Sequence, residues 1–254
     1  MFGPLAIVVV PALDEAERIE ACIRALGAQD LTGEFSVLLV DDGCRDATVA
    51  LAKAAAAACA LPLEILSGPG HGPGPARQVG LDVAAQRMLA GGRPDGLVAT
   101  TDADTRVPPN WLSVQIGLLD GGADAVGGWI DLDPEEAAGV PAHRLALRED
   151  RASERLAAVR RVEPDAEHHH FAGASIGMRA RTYAGLACSL PVDLEDALLA
   201  EMLHAAGARI ARSRAVAVVT SARTAGRARR GLSADLAGHH PDMERQVPRG
   251  RAHV

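Results

Sequence analysis

Two continuous apolar runs, LAIVVV (5–10) and FSVLLV (35–40), limit the folds open to this chain more than any other feature. Both are rich in β-branched residues, and neither alternates with polar ones. Each therefore reads as a strand buried on two faces, which requires a sheet with helices on either side. Between them, DEAERIEACIRALGAQ sets Ile19, Cys22, Ile23 and Leu26 at helical spacing, with its acids expected in the first turn. RDATVALAKAAAAACA reads as a second, alanine-rich helix and LPLEIL (61–66) as a third strand. A glycine and proline loop, SGPGHGPGPARQVG, leads into a helix through Met88 and a fourth strand, GLVATT (96–101). Strand and helix alternate with short connections, which predicts an α/β sheet with right-handed crossovers.

The second half is less regular. PPNWLSVQIGLLDGG reads as a helix with proline at its start, and ADAVGGWIDL as a strand. Residues 134 to 167 turn charged and helical, with Glu149, Asp150, Arg151, Glu154 and Arg155. FAGASIGMR (171–179) is a small-residue strand or turn, VDLEDALLAEMLHAAG a helix, and RAVAVVT (214–220) a last strand. The segment beyond Ser221, rich in Arg, Gly, Pro and His, is expected to be partly disordered.

With 254 residues, nearly half of them hydrophobic, the chain can bury one large core. Aromatics are only 2%, so Ala, Val, Leu and Ile must build that core. A formal charge of -7 argues against general nucleic-acid binding. The charge is uneven: from Met202 to Ala234 there is no acid, while Arg209, Arg212, Arg214, Arg223, Arg227, Arg229 and Arg230 all fall there. Cys22, Cys44, Cys59 and Cys188 form no Cys-x-x-Cys pair and read as free thiols of a reducing compartment. With no basic leader and no apolar run of spanning length, a cytoplasmic protein is expected, with contact at a membrane surface left open.

The proposed strands end in PALDE, DDGCRDAT, GPGPARQ and TTDADT. In open α/β sheets ligands bind beyond the carboxyl ends of the strands, so four polar, acidic or glycine-rich tips mark one end as the site. In an extended segment Asp102 and Asp104 point to one side and can address one cation together. Mg²⁺ and Mn²⁺ take carboxylate oxygen together with phosphate oxygen, so a cation-bound diphosphate suits the pair. The plainer alternative is two solvated turn aspartates, or caps for the next helix.

In order and spacing, VVVPALDEAERI, LLVDDGCRDAT, GPGPARQVGLD, TTDADTRVPPNWL, FAGASIGMR and LEDALLAEML resemble a family 2 glycosyltransferase of the GT-A fold, over residues 5 to 207. The resemblance implies a mostly parallel, Rossmann-like α/β sheet flanked by helices. It also implies transfer of a sugar from a nucleotide-diphosphate donor to an acceptor hydroxyl, with a divalent cation, Mn²⁺ or Mg²⁺. Pro11, Asp14 and Glu15 then stand in the loop that wraps the nucleotide, although the family more often carries Asn where Asp14 stands. Asp42 matches the residue that holds the base, with Asp41 beside it as a loop-stabilising acid. Arg77 matches a basic residue near the nucleotide. Asp102 faces the ribose or the metal shell, and Asp104 ligates the metal. Asp196 matches the general base of the inverting members, and Glu195 an acceptor-orienting acid; both also suit the start of a helix. Gly173, Ala174 and Ser175 match a small-residue acceptor loop, or else a tightly packed strand.

This sequence departs from the family in lacking the later Gln/Arg-x-x-Arg-Trp motif, which argues against processive polymer synthesis. In its place stands TSARTAGRARRG, either a grip for a diphosphate or anionic acceptor or a disordered basic tail. EHHHF (167–171) reads either as a solvated loop or as His168 and His170 lining the acceptor cleft, and His204 and His239 are candidates to complete a metal site. The expected organisation is a transferase domain over 1–220, divided into a nucleotide-sugar-binding half (1–107) and an acceptor half (108–220), followed by a basic tail (221–254). Within the resemblance, a retaining enzyme of the glucosyl- or mannosyl-glycerate synthase type and an inactive nucleotide-sugar-binding scaffold stand as alternatives. The acceptor, a small molecule or lipid-linked, is not legible.

Overall fold

A computed structural model describes residues 4–31, 33–187 and 196–223. In chain order the elements are β1 (Ala6–Ala12), α1 (Ile19–Gly27), β2 (Phe35–Asp41), α2 (Thr48–Ala58), β3 (Leu63–Ser67), α3 (Pro73–Ala90), β4 (Leu97–Thr100) and β5 (Thr105–Arg106). They continue as α4 (Trp111–Asp120), β6 (Ala125–Leu132), α5 (Pro134–Ala137), α6 (Ala142–Val159), β7 (Ile176–Arg179), α7 (Ala180–Ala187), α8 (Asp196–Ala205) and β8 (Ile210–Thr220).

The eight strands form one sheet in the order β3-β2-β1-β4-β7-β6-β8-β5. The first four are parallel throughout, as the apolar runs predict. The other half is mixed: β7 runs antiparallel to β4 and β6, β6 is parallel to β8, and β8 antiparallel to β5. Among the described residues the parallel rule therefore covers one half of the sheet.

The continuous runs are explained by the two layers they serve. Every residue of β1 is buried. Ala6, Val8 and Val10 pack with Ile19, Ile23 and Leu26 of α1, Ala52 and Ala55 of α2, and Trp111 and Leu112 of α4. Ile7 and Val9 face the other way, onto Ala76, Leu81, Ala84 and Met88 of α3, Tyr183 of α7 and Leu203 of α8. α3 approaches the sheet closely at Gly80, where a Cβ would lie 2.3 Å from Val9 Cγ1 and 2.9 Å from Val40 Cγ2. Trp111 is fully buried, and its indole Nε1 donates to Ser175 Oγ at 3.0 Å, tying α4 to the segment before β7. The free backbone N–H of Leu112 in the first turn of α4 is met by Gln29 Oε1 at 3.0 Å.

Some expectations shift. α1 begins at Ile19, so Asp14 and Glu15 lie in the loop before it rather than in its first turn. The start of α2 and the loop before it draw them away: the Asp14 N–H donates to Cys44 Sγ (3.3 Å) and the Glu15 N–H to Thr48 Oγ1 (2.7 Å). The last strand starts at Ile210, and residues 221–223, expected to open the disordered tail, are instead packed. Ala222 is buried, and its N–H donates to Glu136 Oε2 at 2.8 Å. No helix among the described residues is long and apolar enough to cross a membrane.

Candidate active site

The site forms where the strands of the parallel half end. Asp14, just past β1, adopts a left-handed backbone with φ 51. Asn and Asp are the residues that tolerate this conformation best, which rationalises the Asp for Asn exchange. Its Oδ1 accepts from the N–H groups of Arg45 (2.6 Å) and Asp46 (3.3 Å), so the first two loops are stitched together. Pro11, within β1, is buried and pairs with Val40. A cleft of about 420 Å³ opens here, lined by Asp14, Glu15, Glu17, Arg18, Arg45 and Asp46.

The Asp-Asp pair at the end of β2 divides its labour. Asp41 Oδ1 accepts from the N–H groups of Gly43 (3.1 Å) and Cys44 (2.8 Å), a turn-holding role. Asp42, only 4% exposed, accepts from the N–H of Gly70 on Oδ1 and of Gly72 on Oδ2, both at 2.7 Å. The two glycines have φ of 75 and 99, a region closed to most side chains. The glycine-rich loop is thus folded over the Asp42 carboxylate immediately before α3 begins.

Arg77, near the start of α3, has a largely enclosed side chain, 12% exposed. Its Nη2 donates to Asp102 Oδ1 at 2.6 Å, and its Nη1 lies 3.7 Å from Asp196 Oδ1. Burial works against the guanidinium charge, but Asp196 and Asp102 outweigh it and raise its proton affinity. The Gly173 N–H donates to Asp196 Oδ2 at 2.8 Å. A Cβ on Gly173 would fall 2.1 Å from Arg77 Cζ, so the guanidinium fills the space that the missing side chain leaves. Arg77 therefore joins the aspartate that follows β4 to one at the head of α8, across Gly173.

Asp102 and Asp104 do not lie on an extended segment. The Thr105 N–H donates to Asp102 O at 3.0 Å, closing a turn in which the two carboxylates take different partners. Asp104 is met by Arg223 Nη2 at 2.9 Å and accepts from Thr220 Oγ1 at 3.3 Å. Arg223 also grips both oxygens of Glu15, at 2.9 and 2.6 Å. Burial and then neighbouring Asp102 push the Asp104 carboxyl up to about 6; Arg223 pulls the other way, and Glu15 adds to the rise. The buried thiol of Cys22 senses the same acids, its proton affinity raised by burial and then by Asp104, Asp102 and Glu15. One guanidinium thus bridges Glu15 and Asp104, with Asp102 near enough to be felt by Asp104.

The other assigned positions are distributed as follows. Ala174 and Ser175 are buried, with the Ala174 carbonyl accepting from Thr101 Oγ1 (2.8 Å) and Ser175 Oγ taken by Trp111. Glu195 and His239 lie outside the described residues. His204 Nε2 is 2.8 Å from Glu163 Oε1, a carboxylate that Arg212 also holds, at 2.6 Å. The histidine run is not a solvated loop: His168 is fully buried, and His168 and His170 pack on Trp129 with ring centroids 5.6 and 4.8 Å apart. Burial lowers all three imidazoles, His168 and His169 to about 4 and His170 to about 2. Arg223 was visible only as part of a basic stretch; its one sequence signal is the acid-free span that surrounds it. Among the described residues, the three donor groups close enough to share an ion are Asp14, Cys44 and Asp46, and Asp102 and Asp104 are not among them.

A parallel four-strand half with acids at its strand ends, joined to a mixed half, is the arrangement of the GT-A type of α/β fold. The sequence match is direct: the family described as glycosyl transferase family 2 aligns with residues 7–183. The chain belongs to that family. Glycosyltransferase AglE of Haloferax volcanii is 27% identical over 130 residues, covering 50% of this chain and 40% of that one. Among solved structures, S. aureus TarS 1-349 in complex with UDP superposes with a TM-score of 0.60 at 18% identity, over 86% of this chain and 60% of that one. The mannosyltransferase PcManGT from Pyrobaculum calidifontis, in complex with GDP-Man and Mn2+, gives 0.60 at 20% identity, over 98% and 66%. The chain thus spans less than two thirds of the length of each of these relatives.

Proposed function

We propose that this chain transfers a sugar from a nucleotide-diphosphate donor to an acceptor hydroxyl by inverting displacement, with a divalent cation at Asp104 and Asp196 as general base. The observation that carries the reading is the line Asp102, Arg77, Asp196: one chain of charges runs from the acid turn, where Asp104 also lies, to the head of α8. Glu15 and Asp104 offer carboxylate oxygen to one positive group, Arg223, which fits a hard cation at Asp104. When bound, Mn²⁺ or Mg²⁺ would offset the charge that develops on the leaving diphosphate. UDP, and GDP-Man with Mn2+, occupy TarS and PcManGT, which supports a nucleotide-sugar donor here.

In this reading Asp14 and Glu15 shape the donor cleft, Pro11 holds the strand end beneath it, and Asp42 fixes the glycine loop that closes one side. Arg77 holds Asp102 in place and faces Asp196. Asp196 takes the acceptor proton as the acceptor oxygen attacks the anomeric carbon; the bond to the diphosphate breaks and the configuration inverts. Gly173 serves Asp196 with its N–H, Ala174 and Ser175 anchor that loop in the core, and Glu195 orients the acceptor. The nucleotide half (1–107) and acceptor half (108–220) meet at Arg77. The reaction takes place in the cytoplasm, on a small-molecule or lipid-linked acceptor.

A thermal-shift panel of UDP, GDP, dTDP and CDP and their sugar conjugates, with Mn²⁺ and with EDTA, tests this. One nucleotide should raise the melting temperature only with metal. Asp104→Ala should abolish that shift; Asp196→Asn should keep it and lose transfer by roughly 10²- to 10⁴-fold. Near-normal turnover in Asp196→Asn would refute the base, and an undiminished metal-dependent shift in Asp104→Ala the ligand.

A further inference from the structure

Arg223 lies at the acid turn, beyond the last strand. Its guanidinium, from the far end of the chain, faces two acids of the first half, with side-chain exposures of 7% for Glu15 and 11% for Asp104. Arg223 offsets charge on both acids in a partly desolvated spot, and removing one partner of such a pair is costly. Among the described residues, the segment that carries it is tied chiefly to Glu136 of α5. Ser221 Oγ and the Ala222 N–H both donate to Glu136 Oε2, and the Arg223 N–H donates to Ser221 Oγ at 3.2 Å. Glu136 in turn pairs with Arg18 at 3.1 Å, and its own side chain is 34% exposed. The charge contact is therefore carried on a short segment whose polar tether is one partly exposed carboxylate.

We infer that Arg223 is a resident counter-ion that competes with a divalent cation for Asp104, so that the strap 221–223 must let go before a cation seats. The inference rests on Asp104 being the cation ligand, as proposed above. Nη2 of Arg223 occupies the approach to Asp104 Oδ2 at 2.9 Å. A divalent ion bound to that oxygen sits at about 2.1 Å from it, too close for a guanidinium to remain on the same oxygen. The two positive charges also repel at short range in a partly desolvated site. Glu15 gives the displaced state a place for charge as well: once freed from the fork, its carboxylate faces the same cation. The arginine thus keeps the acid cluster neutralised and folded while no cation is bound, at the expense of cation affinity.

The test counts free hexaaqua Mn²⁺ by electron paramagnetic resonance during titration of the full chain, with Mn²⁺ alone and with UDP or GDP added. The proteins are the parent, Arg223→Ala, Arg223→Lys and Asp104→Asn. The expected result is binding roughly tenfold tighter in Arg223→Ala, the effect of removing one close charge, with Arg223→Lys between it and the parent. Asp104→Asn should abolish the site. Equal or weaker binding in Arg223→Ala overturns the competition while leaving the cation reading intact. Absence of Mn²⁺ binding in every protein under every condition overturns both. Should Arg223→Ala fail to fold, hydrogen exchange on the parent decides: saturating Mn²⁺ and nucleotide should speed exchange at Ala222 and Arg223, and unchanged or slower exchange refutes the inference.

Discussion

Gly173→Ala isolates the junction between the two halves of the site. Gly173 is not among the glycines with positive φ, so alanine suits its backbone and would otherwise be neutral or mildly stabilising. The obstacle is Arg77, whose Cζ and Nη2 lie 2.1 Å and Nε 2.5 Å from the added methyl carbon. The guanidinium cannot simply turn aside. Its side chain is 12% exposed, Asp102 holds it at 2.6 Å, and Asp196 faces it at 3.7 Å. Overpacking of this kind costs about 1–3 kcal/mol. Lifting the guanidinium off two half-buried carboxylates adds about 1 kcal/mol, well below the figure for a fully buried pair because both acids retain some water. A loss of about 2–4 kcal/mol is expected, a large share of a domain's usual margin. Urea denaturation of four proteins reads it out: parent, Gly173→Ala, Arg77→Ala and the double variant. With Arg77 truncated the methyl group has room, so the second Gly173→Ala cost should shrink to within about 0.5 kcal/mol, a coupling of at least about 1.5 kcal/mol. A Gly173→Ala protein as stable as the parent, or the same cost in both backgrounds, would refute the claim that Arg77 occupies the space Gly173 vacates.

Three further outcomes are expected. Gly80→Ala puts a methyl group 2.3 Å from Val9 Cγ1, so α3 must lift from the sheet at a cost of about 1–3 kcal/mol; an unchanged melting temperature would contradict the packing. Trp111→Phe removes the donor to Ser175 Oγ and leaves a small void, together costing about 2–3 kcal/mol of unfolding free energy in denaturant titration, and a loss under about 0.5 kcal/mol would mean that the bond is not formed. The third concerns pH. His168, His169 and His170 are held neutral by burial, among Arg148 and Arg155 of α6, Arg212 and Arg214 of β8, and Glu167. In the unfolded chain they accept protons near 6.5, so the unfolded state binds more protons as pH falls. Their contribution is complete above that value and is lost between about 6.5 and 4; Asp104, raised to about 6, runs the other way and offsets part of it. Denaturation curves from pH 7.5 to 4.5 should show a net loss of at least about 2 kcal/mol, and imidazole resonances of His168 and His170 titrating near 6.5 would refute the burial argument.

The parts of this molecule that sequence foretold are those encoded locally. LAIVVV and FSVLLV announced β1 and β2 because a strand packed on both faces leaves no polar position, and Ile19, Cys22, Ile23 and Leu26 announced α1 because one helical face is buried. The acids at the strand ends were likewise legible, since polar residues directly after a buried run can only lie at the sheet's rim. What escaped notice depends on distant partners. Nothing near Arg223 signals Glu15, 208 positions away. Nothing near His168 signals the Trp129 ring against which it is buried. The start of α1 was misplaced for the same reason, because Cys44 and Thr48 hold the Asp14 and Glu15 backbone outside the helix. The i, i+2 argument for Asp102 and Asp104 assumed a strand, and the turn closed by the Thr105 N–H replaced it.

The two-residue strand β5 pairs with the far end of β8, and Thr105 Oγ1 donates to Thr220 Oγ1 at 2.8 Å across 115 positions. On the ribosome that separation is an interval of time. At ordinary synthesis rates the acid turn emerges on the order of ten seconds before the strand that flanks it and the arginine that neutralises it. β1 to β4 need nothing beyond residue 100 to pair, so the parallel half can assemble while Asp104 still waits. The part of the molecule proposed to do chemistry is therefore the last to be finished. A nascent chain halted before Arg223 would display a formed sheet with an unneutralised carboxylate cluster at its rim.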